Sequence, residues 1–239
     1  MNDAPAANHK TRLRLADTAD PTSLSSRFRQ KRDLRLRELI GGIAGGGKPL
    51  RILDVGGSVE YWRRVGLDFL RDVDARVVVM NVTAFELKAE GADATLFEAV
   101  VGDACDLSAY PDGGFDLVHS NSVIEHVGNW SRMKQFASET RRVGRSYYVQ
   151  TPYYWFPIEP HFYRAPMIHW MPRPLAARVM TTFPVTYSGK AKSLDAAFGV
   201  LDGTQLIDRR QFRLLFPDAQ HVSERVLGLT KSQIAIRRA

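Results

Sequence analysis

One cysteine, Cys105, is all that the 239 residues contain. That excludes an intrachain disulfide and a multi-cysteine zinc site, and a reducing compartment fits. Long apolar runs are missing too. Val77-Val78-Val79-Met80 is among the longest, far short of the roughly 20 residues that cross a bilayer. The opening stretch Met1 to Lys10 is polar and has no apolar core of the kind a secretory signal needs. These absences lead to the expectation of a cytoplasmic protein without a membrane span. No internal repeat or long low-complexity tract is present. Hydrophobic residues at 44% and charged residues at 25% exclude a collagen-like or mostly disordered chain.

Negative charge is scarce at the two ends. Residues 1–50 hold 10 Lys or Arg against 5 Asp or Glu, and residues 204–239 hold 7 against 3. The middle is slightly acidic, and the whole carries a formal +7. Basic ends raise the question of a nucleic-acid partner. Phe28 is the one aromatic among the N-terminal charges, so stacking platforms are lacking there. A solvated basic helix and a basic last strand are the simpler reading.

Residues 1–22 have no apolar period and read as a mobile tail. A single domain is expected over 23–239. Its N-terminal helix carries Leu36, Leu39, Ile40 and Ile43 on one face, broken by Gly41-Gly42 and Gly45-Gly46-Gly47. Gly42 to Lys48 formally spells G-x-x-x-x-G-K. The phosphate-loop reading fails because Pro49 replaces the Ser or Thr that holds magnesium, and a strand follows where a helix should open.

Strands and helices alternate from residue 48 to 152. Strands are expected at Leu50–Val55, Arg76–Met80, Phe97–Val101, Phe115–Ser120 and Tyr147–Gln150. Helices are expected at Glu60–Leu70, at Thr83–Glu90 with Thr83 and Glu86 as a capping box, and at Ser131–Val143 with Ser131 as cap and Gly144 as stop. Continuous apolar strands with crossover helices specify an α/β, doubly wound, mostly parallel sheet. Residues 153–203, rich in proline and aromatics, are too long for an ordinary connection and read as an inserted lid. A helix at Gln205–Phe216 and two antiparallel edge strands, His221–Leu227 and Ser232–Arg237, complete a seven-stranded Rossmann-like sheet.

In such sheets ligands bind outside the carboxyl ends of the strands. Those ends carry Asp54, Gly56, Gly57 and Ser58; then Asn81 and Thr83; then Asp103 and Ala104; then Ser120, Asn121, Ser122, Glu125 and His126; then Thr151 and Pro152. The first turn lacks G-x-G-x-x-G, which weighs against a nicotinamide or flavin dinucleotide.

Three segments in this order resemble the class I S-adenosylmethionine-dependent methyltransferases: Arg51-Ile52-Leu53-Asp54-Val55-Gly56-Gly57, then Val101-Gly102-Asp103-Ala104-Cys105-Asp106-Leu107, then Phe115-Asp116-Leu117-Val118 with Ser122-Val123-Ile124-Glu125-His126-Val127. The resemblance implies S-adenosyl-L-methionine as cofactor. It implies a cofactor site at Asp54, Gly56, Gly57, Ser58, Asn81, Val82, Asp103, Ala104, Ser120 and Asn121. Gly56 and Gly57 would admit the methionine moiety, with Asp54 ordering the loop. Asp103 would accept from the adenine amine, and the Ala104 amide would donate to the ring. Asn81 stands where the family usually has an acidic ribose ligand, so its hydrogen bonds would lack charge assistance.

Glu125, His126 and His161 are the catalytic candidates, with His126 as a structural residue, a base or a metal ligand. No metal is assigned, because too few ligating partners accompany Glu125 and His126. Tyr153, Trp155, Phe156, Glu159, His161, Tyr163 and His169 would form the acceptor pocket, against the alternative of an aromatic core bracing the insertion. The function expected is methyl transfer to an oxygen or nitrogen of a small-molecule or glycan-type metabolite. The rivals are an RNA or protein methyltransferase and a non-catalytic module that binds an S-adenosyl ligand.

Overall fold

The computed structural model describes residues 24–45, 48–87, 91–159, 162, 164–186 and 189–239. The expected tail at 1–22 lies outside them. So do His161 and Tyr163, and the side chain of Glu86 in the expected capping box. The chain divides into two compact units, Met1–Gly42 and Ile43–Ala239.

Helix α1 runs over Leu24–Ile43. Gly41 and Gly42 lie inside it and do not end it, because the cost of a helical glycine is only about 1 kcal/mol. The chain turns at Gly45, where φ is +107°.

The second unit holds a seven-stranded sheet. Its strands are β1 (Leu50–Val55), β2 (Ala75–Asn81), β3 (Phe97–Val101), β4 (Phe115–Asn121), β5 (Gly144–Pro152), β6 (Gln220–Val226) and β7 (Leu229–Arg237). Their order across the sheet is β3-β2-β1-β4-β5-β7-β6. The first five are parallel, while β7 runs antiparallel to β5 and β6 antiparallel to β7. The fold class read from the sequence is the one observed. Strand order reverses between β1 and β4, which opens a crevice at their carboxyl ends. Ile52, Leu53, Val55, Val77, Val79, Leu117, Val118, Tyr147 and Val149 are buried, as strands covered on both faces require.

The expected helix Glu60–Leu70 is two helices, α2 (Val59–Val65) and α3 (Leu67–Asp72). Gly66 separates them at φ +120°, and its amide closes α2 on the Trp62 carbonyl. Helix α4 covers Ala84–Leu87. Helix α5 covers Trp130–Val143. Its cap is Asn129, whose side chain accepts from the Arg132 amide, and Ser131 sits one residue inside the helix. Met133, Phe136, Ala137, Thr140 and Val143 are its buried face, as the periodicity implies.

The insertion contains helices α6 (Arg173–Thr182) and α7 (Leu194–Asp202). Phe162, Ile168, Ala176, Ala177, Met180, Val185 and Ala197 form a small apolar core of its own. Helix α8 (Arg209–Leu215) then starts at an Asp208–Gln211 capping box. No helix among the described residues is long and apolar enough to cross a membrane.

Candidate functional site

The turn after β1 rests on a buried carboxylate. Asp54 is fully buried. Its Oδ2 accepts from Trp62 Nε1 at 2.6 Å, and its Oδ1 lies 2.6 Å from His119 Nδ1. A carboxylate oxygen accepts, so Nδ1 carries the proton of that bond. A Cβ on Gly57 would lie 1.6 Å from Asp54 Oδ2, and one on Gly56 would lie 2.4 Å from Val123 Cγ2. Gly56 also has φ +70°, where a side chain is strained. Asn81 Nδ2 donates to the Gly57 carbonyl at 2.8 Å. Ser58 caps α2 by accepting from the Tyr61 amide. Asp54, Ser58 and Asn81 therefore hold the shape of the glycine turn.

Two clefts open around this turn. The larger, about 680 Å³, is lined by Gly56, Asn81, Val82, Asp103, Ala104, Val123, His126 and Arg132 among others. The smaller, about 380 Å³, is lined by Asp54, Gly56, Gly57, Ser58, Tyr61, Asn81, His119 and Asn121. Gly56 and Asn81 border both. Ser120 lines neither; it is fully buried, and its Oγ has no hydrogen-bond partner among the described residues. The pleat explains this, since His119 and Asn121 share one face of β4 and Ser120 points to the other.

Asp103 already has two partners. Its Oδ1 accepts from the Cys105 amide at 2.8 Å, and its Oδ2 pairs with Arg132 Nη2 at 2.6 Å. Burial would raise its pKa, but the Arg132 and Cys105 hydrogen bonds outweigh it and hold the carboxyl below the usual range. It stays an anionic acceptor at neutral pH, with lone pairs left for a further donor. Arg132, at the start of α5, was not distinguishable in the sequence from a solvated helix residue. The Cys105 thiol is pushed up to about 11, chiefly by burial, and is no nucleophile at neutral pH.

Glu125 and His126 follow β4 in the single-turn helix Ile124–His126. Glu125 is fully buried and lines neither cleft; its Oε2 accepts from Thr151 Oγ1 at 2.9 Å. Its carbonyl accepts from the Gln205 amide. His126 borders the larger cleft, with Nδ1 2.6 Å from the Gly203 carbonyl. A carbonyl only accepts, so Nδ1 bears the hydrogen and Nε2 is the basic nitrogen of the neutral ring. Glu125 thus anchors the turn, and His126 borders the larger cleft.

None of the described insertion residues expected in the acceptor pocket lines either cleft. The Tyr154 carbonyl accepts from His169 Nε2 at 2.9 Å and from Trp170 Nε1 at 2.8 Å. Burial lowers the His169 pKa despite the Tyr154 carbonyl, so this ring is neutral at pH 7. Glu159 is buried, and its Oε2 accepts from the Phe162 amide. The Phe156 amide donates to the Tyr153 carbonyl, and Tyr153 pairs with Ile207 beside the sheet. Trp155 is 55% exposed and packs edge-on against Tyr154, with ring centroids 4.8 Å apart. Trp155→Ala should therefore leave the melting temperature within a few degrees of wild type, since exposed substitutions cost roughly 0.5 kcal/mol. A bracing tryptophan would instead cost about 3–5 kcal/mol, so a large drop in calorimetry would restore the bracing role. Among the described residues no group of three His, Cys, Asp or Glu is arranged to hold a metal ion.

A family model described as a methyltransferase domain matches residues 53–146. That span contains the glycine turn, Asp103, His119 and His126. No curated protein matches the chain. Among solved structures, the CurJ carbon methyltransferase superposes with a TM-score of 0.59 at 12% identity. The overlap covers 91% of this chain and 56% of that one. The CMeT domain of the citrinin polyketide synthase superposes with a TM-score of 0.56 at 11% identity, over 87% of this chain and 51% of that one. The chain thus spans little more than half the length of these proteins, and the likeness is one of fold.

Proposed function

We propose a methyl-transfer reaction for this chain, which carries a methyltransferase domain over residues 53–146 and has the class I S-adenosylmethionine-dependent methyltransferase fold. The acceptor is an oxygen or nitrogen of a small-molecule or glycan-type metabolite. The observation that carries this reading is the coincidence of three features in one crevice. These are a turn too tight for any side chain, an anionic acceptor at Asp103 and a histidine base at His126.

The residues fit an S-adenosyl ligand. Gly56 and Gly57 leave backbone bare where the amino-acid end would approach, and Asn81 and Val82 border the middle of the crevice. Asp103 would accept from the adenine amine, and the Ala104 amide would donate to the ring. When bound, S-adenosylmethionine would supply an electrophilic sulfonium methyl for transfer to the acceptor oxygen or nitrogen, its sulfur retaining the electron pair. His126 Nε2 would take the proton that the acceptor atom loses, while the Gly203 carbonyl holds Nδ1–H and fixes the ring. In-line placement of acceptor and methyl supplies most of the remaining rate.

Calorimetric titration with S-adenosylhomocysteine tests the cofactor site. Wild-type protein is expected to bind it and to melt at a higher temperature in its presence, since a ligand of the folded state stabilises by mass action. NAD should do neither. Asp103→Ala should weaken binding by about 1–3 kcal/mol, the cost of an unpaired buried partner. No heat from S-adenosylhomocysteine at millimolar concentration would overturn the cofactor reading. Wild-type affinity in Asp103→Ala would remove only that residue. Binding without turnover across a panel of oxygen and nitrogen acceptors would favour a silent binding module.

A further inference from the structure

Helix α6 is apolar on two sides. Ala176, Ala177 and Met180 are buried in the insertion's own core. Leu175 and Arg178 share the opposite side at helical spacing. Leu175 is 50% exposed there, and Phe183, at the C-terminal cap, is 57% exposed. A helix that is apolar all round is ordinarily covered all round. The apolar surface continues from the N-terminal end of α6. Met171 is exposed. The exposed Trp155 ring lies 6.0 Å from that of Trp170, centroid to centroid. The Met167 amide donates to the Pro157 carbonyl at 2.7 Å, beside exposed Ile158. Met167 itself has φ +64°, a left-handed conformation that costs a non-glycine residue free energy. Its side chain is exposed, so burial of that side chain does not offset the cost.

The charge of the segment is one-sided. Between Glu159 and Asp195 the sequence has no Asp or Glu, yet it holds Arg164, Arg173, Arg178, Lys190 and Lys192. All five are exposed. The Ala191 amide donates to the Met180 carbonyl at 2.9 Å, which places Lys190 and Lys192 along the chain beside the C-terminal end of α6. The next acids in the sequence, Asp195 and Asp202, belong to α7, and Asp202 is paired with Arg173.

We propose that this outer side of the insertion docks on an anionic lipid surface. Phospholipid headgroups complement a stretch of five cations without an acid, and each cation near such a surface adds favourable electrostatics. Trp155, Leu175 and Phe183 enter the boundary between headgroups and acyl chains, where indole rings and apolar side chains are favoured. A contact of this kind needs no spanning helix, and none is present among the described residues. Aliphatic side chains such as Ile158 and Leu175 make no platform for stacked bases. Lysines are depleted from protein interfaces. RNA and a second protein therefore fit this side less well than lipid does.

Co-sedimentation with two kinds of vesicle tests the assignment, one of phosphatidylcholine alone and one of equal parts phosphatidylcholine and phosphatidylglycerol. The protein should be retained on the mixed vesicles and little on the neutral ones, and added salt should weaken the retention. Leu175→Ser combined with Phe183→Ser should weaken it roughly tenfold or more, through lost apolar burial. Lys190→Gln combined with Lys192→Gln should weaken it by a similar factor, through charge alone. All four side chains are exposed, so both double variants should melt near wild type. In wild-type protein, tryptophan emission should shift to the blue on mixed vesicles as Trp155 leaves water, a readout that needs no variant. Absence of retention on the mixed vesicles would overturn the proposal. So would retention that neither double variant changes, which would pass the contact to another basic part of the chain. Equal retention on both vesicles would overturn the selection for anionic lipid. A wild-type dimer that Leu175→Ser with Phe183→Ser turns into a monomer would give this side to a second copy instead. RNA binding lost in the same variant would give it to a nucleic acid.

Discussion

Replacing Gly57 with alanine is expected to abolish measurable S-adenosylhomocysteine binding and to lower the melting temperature by about 10 °C. The added Cβ would stand 1.6 Å from Asp54 Oδ2, a distance no packing tolerates. Either the turn or the carboxylate must move. Moving the carboxylate breaks the bonds from Trp62 Nε1 and His119 Nδ1 together. A hydrogen bond to a charged group is worth about 1.5–3 kcal/mol, and in a chain of this size each kcal/mol lowers the melting temperature by roughly 2–4 °C. Moving the turn instead displaces the backbone that both clefts share. Scanning calorimetry with and without ligand reads both effects. A Gly57→Ala protein that melts and binds like wild type would contradict the contact between the turn and Asp54.

The second large effect is on rate. His126→Asn should cut turnover by about 10²- to 10⁴-fold, the usual contribution of a positioned general base. Ligand affinity should stay close to wild type. The asparagine amide still donates to the Gly203 carbonyl, so the turn keeps its anchor while the basic nitrogen is gone. Single-turnover kinetics on any acceptor the wild type methylates, paired with calorimetry, separates the two quantities. Unchanged turnover, or turnover and affinity falling in parallel, would remove the base from the mechanism.

Most of the sheet was legible because apolar runs and glycine punctuation carry its physics. Leu50–Val55 and Phe97–Val101 end where the sequence puts them, since Gly56 and Gly102 follow directly. The break at Gly66 was not legible, because a lone glycine in a helical pattern is usually tolerated. The cap of α5 was misread as Ser131, because Asn129 and Ser131 are both good caps and only tertiary packing chooses between them. Of the residues expected at the strand ends to meet a cofactor, all but Ser120 line one of the two clefts; at Ser120 a one-residue change of parity turns the side chain to the other face. His119 was missed, although a polar residue inside Phe115-Asp116-Leu117-Val118-His119-Ser120 is an anomaly that burial statistics flag. The insertion was least legible. Its aromatics suggest a pocket, whereas the Tyr154 carbonyl gathers His169 and Trp170 across 15 and 16 residues of chain, a local closure with no sequence signature.

The insertion enters and leaves the sheet side by side. Tyr153 bridges Ile207, and the Tyr154 amide donates to the Ile207 carbonyl. Between these roots it keeps an apolar core separate from that of the sheet. A segment built this way opens as a cooperative unit of its own, at a lower free energy than the strands beneath it. Its exit, Gly203 to Gln205, also grips the Ile124–His126 turn at the His126 ring and the Glu125 carbonyl. Each local opening therefore lets go of the imidazole, which can then exchange tautomers and rotate out of register with the acceptor. In the proposed mechanism, the readiness of the base becomes a thermodynamic property of a distant helical hairpin. Methyl groups lost from Met180 or Ala197, neither of which borders a cleft, would be felt at His126 as time spent in the wrong orientation.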